Sequence, residues 1–138
     1  MTYRVFLDTN LWIYFYAKEP IEKSQKIEEI ISNNIQQIQV SVQILGELFH
    51  VLTRKKLTSQ SDAASIVLEL INNFSILEVD HPKVIQALQI NSKYGYSYWD
   101  SLVIATALLS DCAILYSEDM QHNQLIENKI QIINPFTI

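Results

Sequence analysis

The chain has 138 residues, 49% of them hydrophobic and 18% charged, a balance that fits one compact domain with a substantial core and excludes intrinsic disorder. A formal net charge of -5 excludes a protein that coats nucleic acid by bulk electrostatics, yet leaves room for an enzyme that meets a polyanion through a bound cation. With two glycines and three prolines there is no flexible linker, low-complexity tract or internal repeat, so residues 1–138 read as a single domain.

"YRVFL" (3–7) predicts a first strand, and "DTN" (8–10) after it offers favoured helix caps, with Thr9 or Asn10 as the capping residue. "EKSQKIEEIISNN" has helical spacing, with Ile27, Ile30 and Ile31 on one face. "IQVS" (38–41) is the second strand. Two amphipathic helices follow: "VQILGELFHVLTRKK", built on Leu45, Leu48, Phe49 and Leu52, and "SDAASIVLELINN", built on Ala63, Ile66, Val67 and Leu70. "SILEV" (75–79) is the third strand, and His81 before Pro82 reads as a helix start. "YWDSLVIATALLSD" is almost wholly apolar after Ser101, as a helix buried on most sides must be. "AILYS" (113–117) and "IQIIN" (130–134) complete the strands. Strands alternating with helices imply an α/β domain with a mainly parallel sheet.

Ligands of open α/β sheets sit in the crevice beyond the carboxyl ends of the strands. Asp8 directly follows the first strand, and Glu118 and Asp119 follow "AILYS" in the same way. Two further acids interrupt apolar helices. Glu47 stands beside Gly46, whose missing side chain would let another backbone approach, and Asp100 falls in a first helical turn, where the dipole favours negative charge. Singly, each acid has an ordinary explanation as a cap, a solvated stripe, a dipole partner or a turn. Together they call for a counter-charge. Carboxylates converging in one crevice repel by about 1 kcal/mol per pair at ~4 Å in water, and about 4 kcal/mol at an effective dielectric of ~20. A hard divalent cation relieves that cost, and such a site can activate water and stabilise charge on an attacked phosphodiester.

The ordered stretches "FLDTNLWIY", "SVQILGELFHVL", "YGYSYWDSLVIATAL", "AILYSEDMQ" and "IQIINPF" resemble the PIN-domain family, and more closely the VapC-type ribonuclease toxins of bacterial toxin–antitoxin pairs. The resemblance runs essentially the whole chain. It implies a three-layer α/β/α sandwich whose mainly parallel sheet has four or five strands. It also implies an endoribonuclease dependent on Mg²⁺ or Mn²⁺ that hydrolyses RNA through a metal-activated water, with an antitoxin as protein partner. Family members usually form homodimers, and the apolar helices between residues 42 and 73 are where that interface is expected. The resemblance maps the catalytic and metal-holding quartet onto Asp8, Glu47, Asp100 and Asp119, with Asn10 and Ser117 as polar helpers of the first and last acids. Glu118 is not assigned a role, because alternation along an extended "LYS" puts Ser117 and Asp119 on one side and Glu118 on the other. One departure is visible: a glycine is expected shortly after "SEDMQH", where this chain has Asn123, a residue that also tolerates a left-handed turn.

Arg54, Lys55 and Lys56 form the densest basic run, at the end of the Glu47 helix, and either answer the helix dipole or contact RNA phosphates. Tyr94, Tyr96, Tyr98 and Trp99 read as packing or interface residues, with room for one to stack a base. His50, three residues after Glu47, reads as a satisfied structural histidine, with a supporting place beside the site as the alternative, and His122 as a loop residue. Cys112, the only cysteine, leaves no intramolecular disulfide and reads as a small buried residue. No histidine and cysteine spacing points to zinc. The N-terminus has no secretory pattern and no apolar run approaches the roughly 20 residues of a membrane span, so a soluble, cytoplasmic protein is expected.

Three alternatives stand beside the toxin reading. The first is a receiver-like domain with an acid pocket for Mg²⁺; it lacks a lysine just after "AILYS" and an acceptor aspartate at a central strand end. The second is a catalytically silent PIN-like binding module, against which the retained quartet argues. The third is a PIN nuclease outside any toxin–antitoxin pair. A dinucleotide enzyme is remote, since neither glycine-rich phosphate signature is present.

Overall fold

Chain order in the computed structural model, which describes residues 3–137, runs β1 (Arg4–Leu7), α1 (Thr9–Ala17), α2 (Ile21–Asn33), β2 (Ile38–Ser41), α3 (Val42–Arg54), α4 (Gln60–Asn73), β3 (Ser75–Leu77), α5 (His81–Tyr94), α6 (Tyr98–Leu109), β4 (Cys112–Tyr116), β5 (Leu125–Ile126) and β6 (Ile130–Ile133). The sheet order is β3-β2-β1-β4-β6-β5. Every pairing is parallel except β5 on β6. Helices cover both faces, giving a three-layer α/β/α sandwich in which α1 packs on α2 and α3, α3 on α4, and α5 on α6.

The local sequence explains these elements. Val5, Phe6 and Leu7 are a continuous apolar run, all fully buried, as a parallel strand covered on both faces requires. Ser41, Ser59 and Ser97 cap α3, α4 and α6, their hydroxyls accepting from the amides of Ile44, Asp62 and Asp100. Pro82 sits in the first turn of α5, and Gly95, at φ +82°, ends that helix in the left-handed conformation glycine takes most easily. In α6, Ser101 through Leu108 are all buried, so the helix forms the spine of one layer.

Two expectations are corrected. The sheet has six strands, not four or five, because β5 adds an antiparallel edge. Its hairpin turns through Glu127 and Asn128, both at positive φ, and neither is the glycine that usually announces such a turn. "SILEV" also pairs over only Ser75–Leu77. Asn123 does adopt the left-handed conformation, at φ +68°. No helix among the described residues is long and apolar enough to cross a membrane.

Candidate active site

The register Leu7 opposite Tyr116 places the ends of the parallel strands β1 and β4 side by side. Asp8 and Ser117, the next residue on each strand, therefore meet. The Asp8 amide donates to the Tyr116 carbonyl at 2.9 Å, and the Ser117 hydroxyl donates to Asp8 Oδ2 at 3.0 Å. Asp8 Oδ1 accepts from the Thr9 amide at 2.8 Å, so Asp8 itself caps α1. That corrects the expected cap at Thr9 or Asn10. As the first residues of α1, those two reach other acids instead. Thr9 Oγ1 donates to Glu47 Oε1 at 2.9 Å, and Asn10 Nδ2 donates to Asp119 Oδ2.

Glu47 comes from the second turn of α3, Asp100 from the first turn of α6, and Asp119 from the loop after β4. With Asp8 they line one cleft of about 410 Å³, whose remaining lining is Thr9, Asn10, Gly46, His50 and Val51. All four acids of the expected quartet are thus brought together, and Asn10 and Ser117 touch the last and first of them.

The carboxylates raise one another's proton affinity. Burial pushes Asp8 up to about 6, and the Asp100 and Glu47 charges add to that rise, although the Thr9 amide and the Ser117 hydroxyl oppose it. Glu47 is raised by burial and by the Asp100 charge, and Asp100 by burial and by the Asp119 charge. A site that strains its own anions in this way favours a cation. The donor chemistry fits a hard divalent ion, since every anionic group lining the cleft is a carboxylate and no thiol lines it. Among the described residues, no three histidine, cysteine, aspartate or glutamate side chains stand close enough to enclose a metal ion as they are. Asp8, Glu47 and Asp119 each accept from a hydroxyl or amide donor of the chain itself.

Other expected residues fall elsewhere. Glu118 is turned away from the cleft, accepting from Tyr14 and pairing with Lys23, whose ammonium lies 4.9 Å from the ring centres of Tyr14 and Phe136. Arg54, Lys55 and Lys56 are exposed and do not line the cleft. Gly46 is not a close-approach glycine: a Cβ there would meet nothing within 4 Å, and the residue simply opens onto the cleft. His50 is exposed on the cleft wall and is not a satisfied core histidine. One cleft residue escaped the sequence reading: Thr9 was masked by the capping preference of its type, and its place directly after Asp8 was the available signal. His50, expected as a structural histidine with a place beside the site only as the alternative, takes that alternative in the cleft.

Known proteins bear on this architecture. A toxin–antitoxin complex from Klebsiella pneumoniae superposes at a TM-score of 0.72 with 15% identity, covering 95% of this chain and 97% of that one. DNA-bound VapBC from Salmonella typhimurium gives a TM-score of 0.71 with 20% identity and the same coverage of 95% and 97%. VapC20 of Mycobacterium tuberculosis, described as a toxin that cleaves the sarcin-ricin loop, gives 0.66 with 18% identity, covering 80% of this chain and 86% of that one. At such identities these likenesses show the fold. No curated protein matches the sequence. The PIN domain family matches residues 5–127, nearly the whole chain, and sets the receiver-like alternative aside. The chain belongs to the PIN-domain family.

Proposed function

We propose that this protein is an endoribonuclease dependent on Mg²⁺ or Mn²⁺ that serves as the toxin of a toxin–antitoxin pair. The observation that carries the proposal is the convergence of Asp8, Glu47, Asp100 and Asp119, from four separate elements, in one cleft at the carboxyl ends of β1 and β4. Those four side chains would hold the cation. When bound, it lowers the pKa of a water and offsets charge on the attacked phosphodiester. The chain's own groups keep the acids in place: Ser117 and the Thr9 amide orient Asp8, Thr9 orients Glu47, and Asn10 orients Asp119. Direct attack by water, without a covalent enzyme intermediate, is the course this reading assigns.

The toxin role and an antitoxin partner draw support from the toxin–antitoxin complexes among similar structures. A homodimer is the accompanying expectation. Its natural place is the groove between α3 and α4, where Leu45, Phe49, Val67 and Leu68 leave an almost wholly apolar surface. Sedimentation of the wild type beside Leu68→Lys tests it.

The decisive experiment offers purified protein a set of RNAs with Mg²⁺ or Mn²⁺, with EDTA, and as Asp100→Asn. Cleavage is expected only for the wild type with metal. Cleavage that persists in both EDTA and the variant would sink the mechanism. A small neighbouring reading frame for a DNA-binding protein separates the toxin reading from a general PIN nuclease. Inducing the chain alone should arrest growth, and Asp100→Asn should not.

A further inference from the structure

A cleft lined by four carboxylates repels the phosphates of a polyanionic substrate, so the substrate needs cationic donors close by. Among the residues lining the cleft, His50 is the only one that can carry a positive charge. It is exposed, and its imidazole makes no hydrogen bond among the described residues. Arg54 stands four residues further along α3, also exposed and without an ion pair among the described residues. At 3.6 residues per turn, positions 47, 50 and 54 fall on one stripe of the helix. His50 lies one turn beyond Glu47, and Arg54 about 6 Å beyond His50 along the axis. The stripe leads out of the acid cleft and ends in two uncommitted donors.

The rest of the basic run does not share that stripe. Lys55 is the residue that ends α3, and Lys56, at φ +56°, belongs to the turn that leaves it. A simple response to the helix dipole would make the three basic residues interchangeable. The helical face distinguishes them.

We propose that α3 is the track of the RNA strand beside the cleft, with His50 donating to the phosphate next to the cleaved bond and Arg54 pairing with the phosphate beyond it. The inference rests on the endoribonuclease reading, and the cleft and the stripe together engage consecutive phosphates of one backbone. Lys55 and Lys56 lie off the track.

Binding is measured by fluorescence anisotropy with a labelled single-stranded oligouridylate and Mg²⁺, in an Asp100→Asn background that leaves the RNA intact. Arg54→Gln should lower the slope of log Kd against log salt by about 0.7, the contribution of one phosphate contact on a single strand. Arg54→Lys should restore it. His50→Ala should raise Kd about fivefold, the loss of one hydrogen bond. Lys129→Gln, a matched charge change at the opposite ends of the strands, should leave both readings unchanged. An unchanged salt slope in Arg54→Gln, or equal effects of Lys55→Gln and Lys56→Gln, overturns the track. Should the wild type still cleave RNA in a metal-dependent way, that result overturns the track alone. A wild type that neither binds nor cleaves RNA overturns the track and the proposed function together.

Discussion

Ser117 donates a 3.0 Å hydrogen bond to Asp8 across 109 residues of chain, joining the first residue after β4 to the first residue after β1. Both side chains are buried, so the bond satisfies an oxygen that water does not reach freely. Ser117→Ala should cost about 1–2 kcal/mol at neutral pH in EDTA. It should also push the Asp8 carboxyl higher still, because a donor to its charged form is lost. Urea denaturation at pH 7 and pH 4 checks both points. The cost should shrink at the lower pH, where Asp8 is protonated.

The raised proton affinity of Asp8 sets a pH dependence for the metal-free protein. Its folded value of about 6 exceeds the ordinary 3.8, so between those values the folded state binds more protons than the unfolded one. Stability from this group therefore falls as pH rises through that window, by about 3 kcal/mol in total. Asp8→Asn, which keeps a capping oxygen, should remove the slope. It should be at least as stable as the wild type at pH 7 in EDTA and lose that advantage near pH 4. A strongly destabilised Asp8→Asn at pH 7 would show that capping by the carboxylate outweighs the repulsion.

A bound cation should reverse the penalty on the quartet. Melting temperature should rise with Mn²⁺ concentration in the wild type, with stabilisation of about 2.7 kcal/mol at a concentration 100 times Kd. Asp100→Asn, lacking one of the acids that face the cleft, should rise much less. Equal responses in both proteins would place the cation elsewhere.

Glu118 and Asp119 are neighbours with different expected roles. Burial pushes the Glu118 carboxyl up, but the donors on Lys23 and Tyr14 outweigh it and hold it below the ordinary value. Its stabilisation is present above the ordinary carboxylate range and lost as pH falls through the lowered value, the opposite sign to Asp8. Glu118→Gln should cost about 0.5–1 kcal/mol, as a partly exposed ion pair does, and retain metal-dependent cleavage. Asp119→Asn should lose most cleavage with little change in stability. Cleavage assays and melting curves on the two variants separate the roles.

Much of the fold was legible because apolar runs and helical spacing report burial directly. β1, with three fully buried residues, and α6, almost wholly apolar after Ser101, could hardly be anything else. β5 was not legible: two residues carry too little pattern, and Glu127 and Asn128 turn the chain without a glycine. The candidate acids were legible through strand ends and interrupted helices, and the family resemblance narrowed them to four. The division of labour in "DTN" was not, since Asp, Thr and Asn share a capping preference and the sequence cannot show which side chain finds which distant partner.

The sequence by itself determined the α/β alternation and the residues of the core, because these depend on local period and composition, while the choice of four acids among the candidates came from the family resemblance. Only the tertiary structure decided that Thr9 holds Glu47, that Asn10 holds Asp119, and that Glu118 faces Lys23. Those contacts span long stretches of chain, and they exist because the parallel register of β1 and β4 sets two strand ends side by side.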